Sequence, residues 1–136
     1  MTGAETVDLR PGEVLRAVDL PGPGLRTPTA FGRAALTSYG RSAALVIGRR
    51  DPDAVVLTLT ASVPRPVVLT LPPEPDERAV RDAVARAGAE VGWYADAHGA
   101  ADWRAAQTGL LAAQVHTELA MPTELTEHAE LTGGPR

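Results

Sequence analysis

Cysteine and lysine are both missing from these 136 residues. Without thiols there is no disulfide, no thiolate metal site and no cysteine nucleophile. Without lysine there is no Schiff base, and no lysine to clamp a nucleotide phosphate. Aromatics are scarce at 4%. The core must therefore rest on valine, leucine and alanine, with Trp93 and Trp103 as its large anchors. No apolar run reaches membrane-spanning length, and Met1 to Leu9 lacks a basic region followed by an apolar one. Positive charge is not in excess either. The net charge is −4 and no basic block stands out, which argues against neutralisation of nucleic-acid phosphates. The expectation is a cytoplasmic protein with no nucleic-acid partner, no membrane partner and no metal site.

What the chain does contain is ordered along its length. Residues 1–12 are polar and are expected to be mobile, residues 13–121 to form one domain, and residues 122–136 a disordered tail. Val14 to Leu20 reads as a strand, stopped by Pro21-Gly22-Pro23-Gly24, a rigid turn whose prolines offer no N–H groups to a phosphate. Thr29 to Leu36 is ambiguous, a strand with Phe31 turned inward being one reading, and Ala43 to Gly48 reads as a short apolar strand. Ala54 to Ala61 alternates, with Val55, Leu57 and Leu59 facing one way, and Val67, Leu69 and Leu71 repeat the pattern. Two helices follow. The first opens at Pro75-Asp76-Glu77, carries Val80 and Val84 on its stripe and has Gly88 as its stop. The second runs from about Ala100 to Ala120, with Trp103, Ala106, Leu110 and Ala113 in one row and Leu111, Val115 and Leu119 beside it. Strands first and helices last predict an α+β fold: a mainly antiparallel sheet of about four strands with two C-terminal helices on one face.

Few residues have the types and spacing that chemistry needs. Asp96, His98 and Asp102 lie close together and are the catalytic candidates, because carboxylate and imidazole serve acid–base work or metal binding. The competing and favoured reading is a helix start, with Asp96 or Asp102 capping free N–H groups and His98 bonding locally. Phe31, Trp93, Tyr94, Trp103 and Arg104 are candidates for lining a ligand pocket. The alternative for the tryptophans and Tyr94 is filling between helices and sheet. Arg49, Arg50, Arg65 and Arg104 are read as solvated or capping charges that would form an anion subsite only if clustered. His116 and His128 are expected to be exposed.

Two signatures go further when taken together. Val63-Pro64-Arg65-Pro66-Val67 follows a strand, and Tyr94-Ala95-Asp96-Ala97-His98-Gly99 leads through Asp102 to Trp103-Arg104 at the start of a long helix. Upstream lie Arg10-Pro11-Gly12-Glu13-Val14-Leu15, then Leu20-Pro21, then Phe31, Arg33 and Arg41 before Ala43-Ala44-Leu45-Val46. In this order the segments resemble the C-terminal domain of the FAD-binding medium subunit of molybdenum hydroxylases, the carbon monoxide dehydrogenase and xanthine dehydrogenase family. The resemblance covers residues 10–120. Arg33 stands where the family has lysine, Trp103 where it has tyrosine, and Ser42-Ala43 where it has an aspartate before the strand alanine. The FAD-binding domain itself has no counterpart here. The resemblance therefore implies a non-catalytic component of an oxidoreductase complex. It would carry no flavin alone and would meet FAD only through an FAD-binding or molybdenum-cofactor subunit. The alternative is a recruited enzyme of cyclase or isomerase type, or a binding protein for a hydrophobic metabolite held between sheet and helices. A homodimer, formed through an exposed strand, is compatible with both.

Overall fold

The alternating valine and leucine segments pair side by side. The computed structural model describes residues 8–121, so the proposed tail, His128 and residues 1–7 of the N-terminal segment lie outside it. Its strands are β1 (Thr29–Ala34), β2 (Ala44–Asp51), β3 (Ala54–Thr60) and β4 (Val67–Leu71), and its helices are α1 (Glu77–Val91) and α2 (Ala101–Ala120). The four strands form one antiparallel sheet in sequence order. The expected α+β layout, a four-stranded sheet with both helices packed against it, is the observed one. Among the described residues no helix is long and apolar enough to cross a membrane.

Register assigns each side chain to a face. Ala30, Gly48, Leu57 and Leu69 follow one another across the strands, as do Gly32, Val46, Leu59 and Val67. This face carries the core, where Val46, Val55, Leu57 and Leu59 are fully buried under Val80 and Val84 of α1 and Leu111, Val115 and Leu119 of α2. The helices supply those residues at four-residue spacing. Small residues on β1 and β2 let α2 lie close. A Cβ at Gly48 would collide with Val115 and Leu119, and one at Gly32 would press on Leu111.

The turns follow their local chemistry. Pro52 and Asp53 make the two-residue link between β2 and β3, where Asp51 faces Ala54. Arg33 pins the β1–β2 loop by donating from Nε to Ser42 Oγ at 2.9 Å and from Nη2 to the Gly40 carbonyl. Asp76 caps α1, accepting from the Ala79 N–H at 2.6 Å.

Four expectations change. Val14 to Leu20 forms no strand and pairs with none among the described residues, because composition favours a strand only where a neighbour completes its ladder. Phe31 points outward at 68% exposure, since the inward positions of β1 are the small residues on which α2 rests. Gly88 does not end α1. It lies inside the helix against the Trp93 ring, and Gly92, at φ +83°, makes the stop. On α2, Leu111, Val115 and Leu119 face the core, while Ala106 and Leu110 face solvent and Trp103 is half-buried.

Two glycines of opposite sign test the close approach. Gly48→Ala should destabilise the domain by about 1–3 kcal/mol through overpacking. Gly109→Ala, on α2 with open space at its Cβ, should stabilise it by about 0.5–1 kcal/mol through helix propensity. Denaturant midpoints at constant m-value provide the comparison.

Candidate functional site

The segment between the helices folds back on itself. Asp96 and Gly99 exchange backbone hydrogen bonds of 3.2 Å each, closing a tight turn around Ala97 and His98. The Asp96 carboxylate strengthens the turn by accepting the His98 N–H at 2.7 Å. Gly99 has φ +154°, and a Cβ there would lie 2.9 Å from the Trp103 ring. Glycine is therefore required both by the backbone and by the ring that covers it.

This turn lies over Arg104, one turn into α2. Arg104 was expected to be solvated or capping, yet it is 1% exposed and is the largest fully buried side chain. Four of its five donors are engaged. Nε donates to the Gly99 carbonyl at 3.0 Å. Nη1 donates to the Ala43 carbonyl at 2.9 Å and the Ala61 carbonyl at 2.6 Å. Nη2 donates to Asp96 Oδ1, forming an ion pair whose carboxylate is 28% exposed. The Tyr94 ring centroid lies 5.4 Å from the guanidinium carbon, within cation–π range. Burying the charge is tolerable because carboxylate, carbonyls and ring replace its water.

The carbonyl partners come from distant parts of the chain. Ala43 precedes β2 and Ala61 follows its antiparallel neighbour β3, so one side chain ties two adjacent strand ends, at the same end of the sheet, to the start of α2. Ala61 adopts φ +66°, a left-handed conformation that costs an L-residue about 1–2 kcal/mol. The neighbouring Ser62 carbonyl accepts the Tyr94 N–H at 2.9 Å, fastening the approach to the turn.

The charge environment of Asp96 follows from this geometry. The His98 N–H holds its carboxyl below the ordinary aspartate value of 3.8; partial burial opposes the shift, and the Arg104 guanidinium reinforces it. Asp51 is likewise lowered by its paired hydrogen bonds from Arg49, at 2.8 and 2.7 Å.

The proposed site residues do not gather into one cavity. Asp96, His98, Tyr94, Trp103 and Arg104 meet at the turn, whereas Phe31 lies on the outer face of the sheet. Trp93 packs on Gly88 of α1. Asp102 does not cap α2, whose N-cap is Ala100, a residue with no side-chain cap bond; the Asp102 carboxylate accepts the Trp103 N–H at 2.7 Å. Among the described residues no three His, Cys, Asp or Glu side chains come together as a metal-ligand group. His116 is half-buried rather than exposed. An open cleft of about 410 Å³ lies at the other end of β2, bordered by Arg50, Asp51, Pro52 and Glu74. The arginine hub was missed because its acceptors are main-chain carbonyls, which carry no residue-type signal. The one available hint was Asp96 eight residues before Arg104.

No family model, no curated protein and no solved structure matches this chain.

Arg104→Ala should cost about 3–5 kcal/mol because it removes the donors to the Ala43 and Ala61 carbonyls and the cation paired with Asp96. Arg104→Lys should recover only part, since an ammonium cannot reproduce the planar fork. Ala61→Gly should add up to about 1 kcal/mol by relieving the left-handed strain. Asp96 also sets an acid response. Its folded value is depressed, so its contribution is present above 3.8 and is lost as pH falls through the lowered value. Asp96→Asn should flatten the acid limb of a stability–pH curve measured by urea unfolding while lowering stability at neutral pH.

Proposed function

We propose that the chain is a non-catalytic interaction component of an oxidoreductase complex of the molybdenum hydroxylase type, docking to a subunit that binds FAD or the molybdenum cofactor. The observation that carries this reading is the uncovered face of the sheet. Register aligns Phe31, Ile47, Thr58 and Val68 in one row across all four strands, opposite the helices. Phe31, Ile47 and Val68 are all exposed, and the half-buried Leu45 and Val56 flank them. Contiguous apolar surface of this kind marks a binding face more often than a bare one. Its charges are already occupied. Arg49 pairs with Asp51, and Arg33 bonds the adjoining loop, so little polar desolvation opposes docking.

The turn at Asp96 supports the same reading. The residues that carry the resemblance, Asp96, Gly99, Trp103 and Arg104, hold helix, sheet ends and turn together rather than line a reaction cavity. On this reading the chain alone takes up no FAD, and a flavin arrives with the partner.

Affinity capture of the tagged chain from its native host, read by mass spectrometry and a flavin absorption scan, tests the proposal. The expected result is co-purification of a flavin-binding or molybdenum-cofactor chain, lost on Ile47→Arg. Recovery of the chain alone, folded and colourless, would overturn it.

A further inference from the structure

Residues 13–20 have the composition of a strand but no sheet. Every residue from Asp8 to Leu20 is exposed, with Val14 at 82%, Leu15 at 71%, Val18 at 70% and Leu20 at 68%. Among the described residues, the hydrogen bonds of this arm that involve its own N–H groups are those of a local turn: Arg10 N–H to Glu13 Oε2 at 2.9 Å, and Glu13 N–H to the Arg10 carbonyl at 3.0 Å. The arm therefore leaves apolar side chains and backbone donors in water, where a sheet edge would satisfy both.

The same chain offers such an edge. β1 is terminal in the sheet. The Arg50 N–H donates to the Pro28 carbonyl at 3.0 Å, which sets the phase of the β1–β2 ladder. Alternate residues then turn their backbone groups away from β2, so Thr29, Phe31 and Arg33 present theirs at the open edge. The arm does not fold back onto this edge. Pro21, Pro23 and Pro28 punctuate the connection, which coils into a short 3-10 turn at Gly22–Leu25.

We propose that residues 13–20 add as a fifth strand to the β1 edge of a second copy of this chain, which returns its own arm in exchange. Such reciprocal exchange closes a two-fold dimer. The lengths agree, since Val14 to Leu20 spans seven residues and β1 six. An antiparallel register with Leu15 opposite Phe31 places Glu13 beside Arg33 of the other copy and sets Leu15 on the exposed ring. Leu15 then covers Phe31 alone, and Ile47, Thr58 and Val68 of the same row remain open to a larger partner.

Light scattering on a size-exclusion column, run on the full chain over a concentration series, reads the outcome directly. The expected mass is that of a dimer. Leu15→Pro, which removes a ladder donor from a segment exposed in its own fold, should halve the mass, remove only the added strand's share of the far-ultraviolet signal and keep unfolding of the domain cooperative. The double variant Leu15→Cys with Phe31→Cys should form a disulfide-linked dimer under oxidation, because opposed residues about 5.5 Å apart suit a disulfide and the native chain has no cysteine to compete. Ile47→Arg, on the open face, should leave the mass unchanged. A monomer at every concentration would overturn the exchange. So would a dimer that survives Leu15→Pro, or one that Ile47→Arg dissolves.

Discussion

The buried guanidinium of Arg104 is the group on which the rest of this structure depends. It sits where three parts of the chain must converge: the entry to β2 at Ala43, the exit from β3 at Ala61, and the turn from Asp96 to Gly99 that launches α2. Each of those parts turns a backbone carbonyl toward the guanidinium. A single planar fork with several donors answers them together, which a lysine could not do. The arrangement is demanding. A buried cation without its carboxylate or carbonyls would destabilise the fold, so helix, sheet ends and turn are specified jointly rather than one by one.

Close approach is the second constraint, and it serves the first. α2 can bring Arg104 to the sheet ends only because Gly48 and Gly32 let Val115, Leu119 and Leu111 settle against the strands. The large rings are placed by the same logic. Trp93 lies on Gly88 and Trp103 on Gly99, so each tryptophan rests on a residue with no side chain. Valine, leucine and alanine make up the buried cluster between sheet and helices, and Trp93 packs against its edge.

This economy leaves one side of the sheet undressed. The helices cover the face bearing Val46, Val55, Leu57 and Leu59, and nothing among the described residues covers the face bearing Phe31, Ile47 and Val68. The arm from Glu13 to Leu20 is uncovered too. Together they describe a domain whose hydrophobic surface exceeds what its own two layers bury. That excess is the observation on which the proposal of association rests.

Much of the fold was legible in residue order alone. Period-two alternation located β3 and β4 and assigned Val55, Leu57 and Leu59 to the core, because a strand buried on one face has no other way to sort its side chains. Pro75-Asp76-Glu77 marked the start of α1, because a cap and a favourable dipole are local effects. What the tertiary structure decided was everything that needs a second segment. Val14 to Leu20 is strand-like in composition yet has no ladder, since pairing belongs to a neighbour and not to the segment. Phe31 faces outward because small residues, not its own hydrophobicity, set the face on which α2 lies. Arg104 is buried because carbonyls at Ala43 and Ala61, distant along the chain, meet it in space. Side-chain type is written in the sequence, but a main-chain carbonyl is the same at every residue. Only the folded backbone shows which carbonyls turn toward a charge.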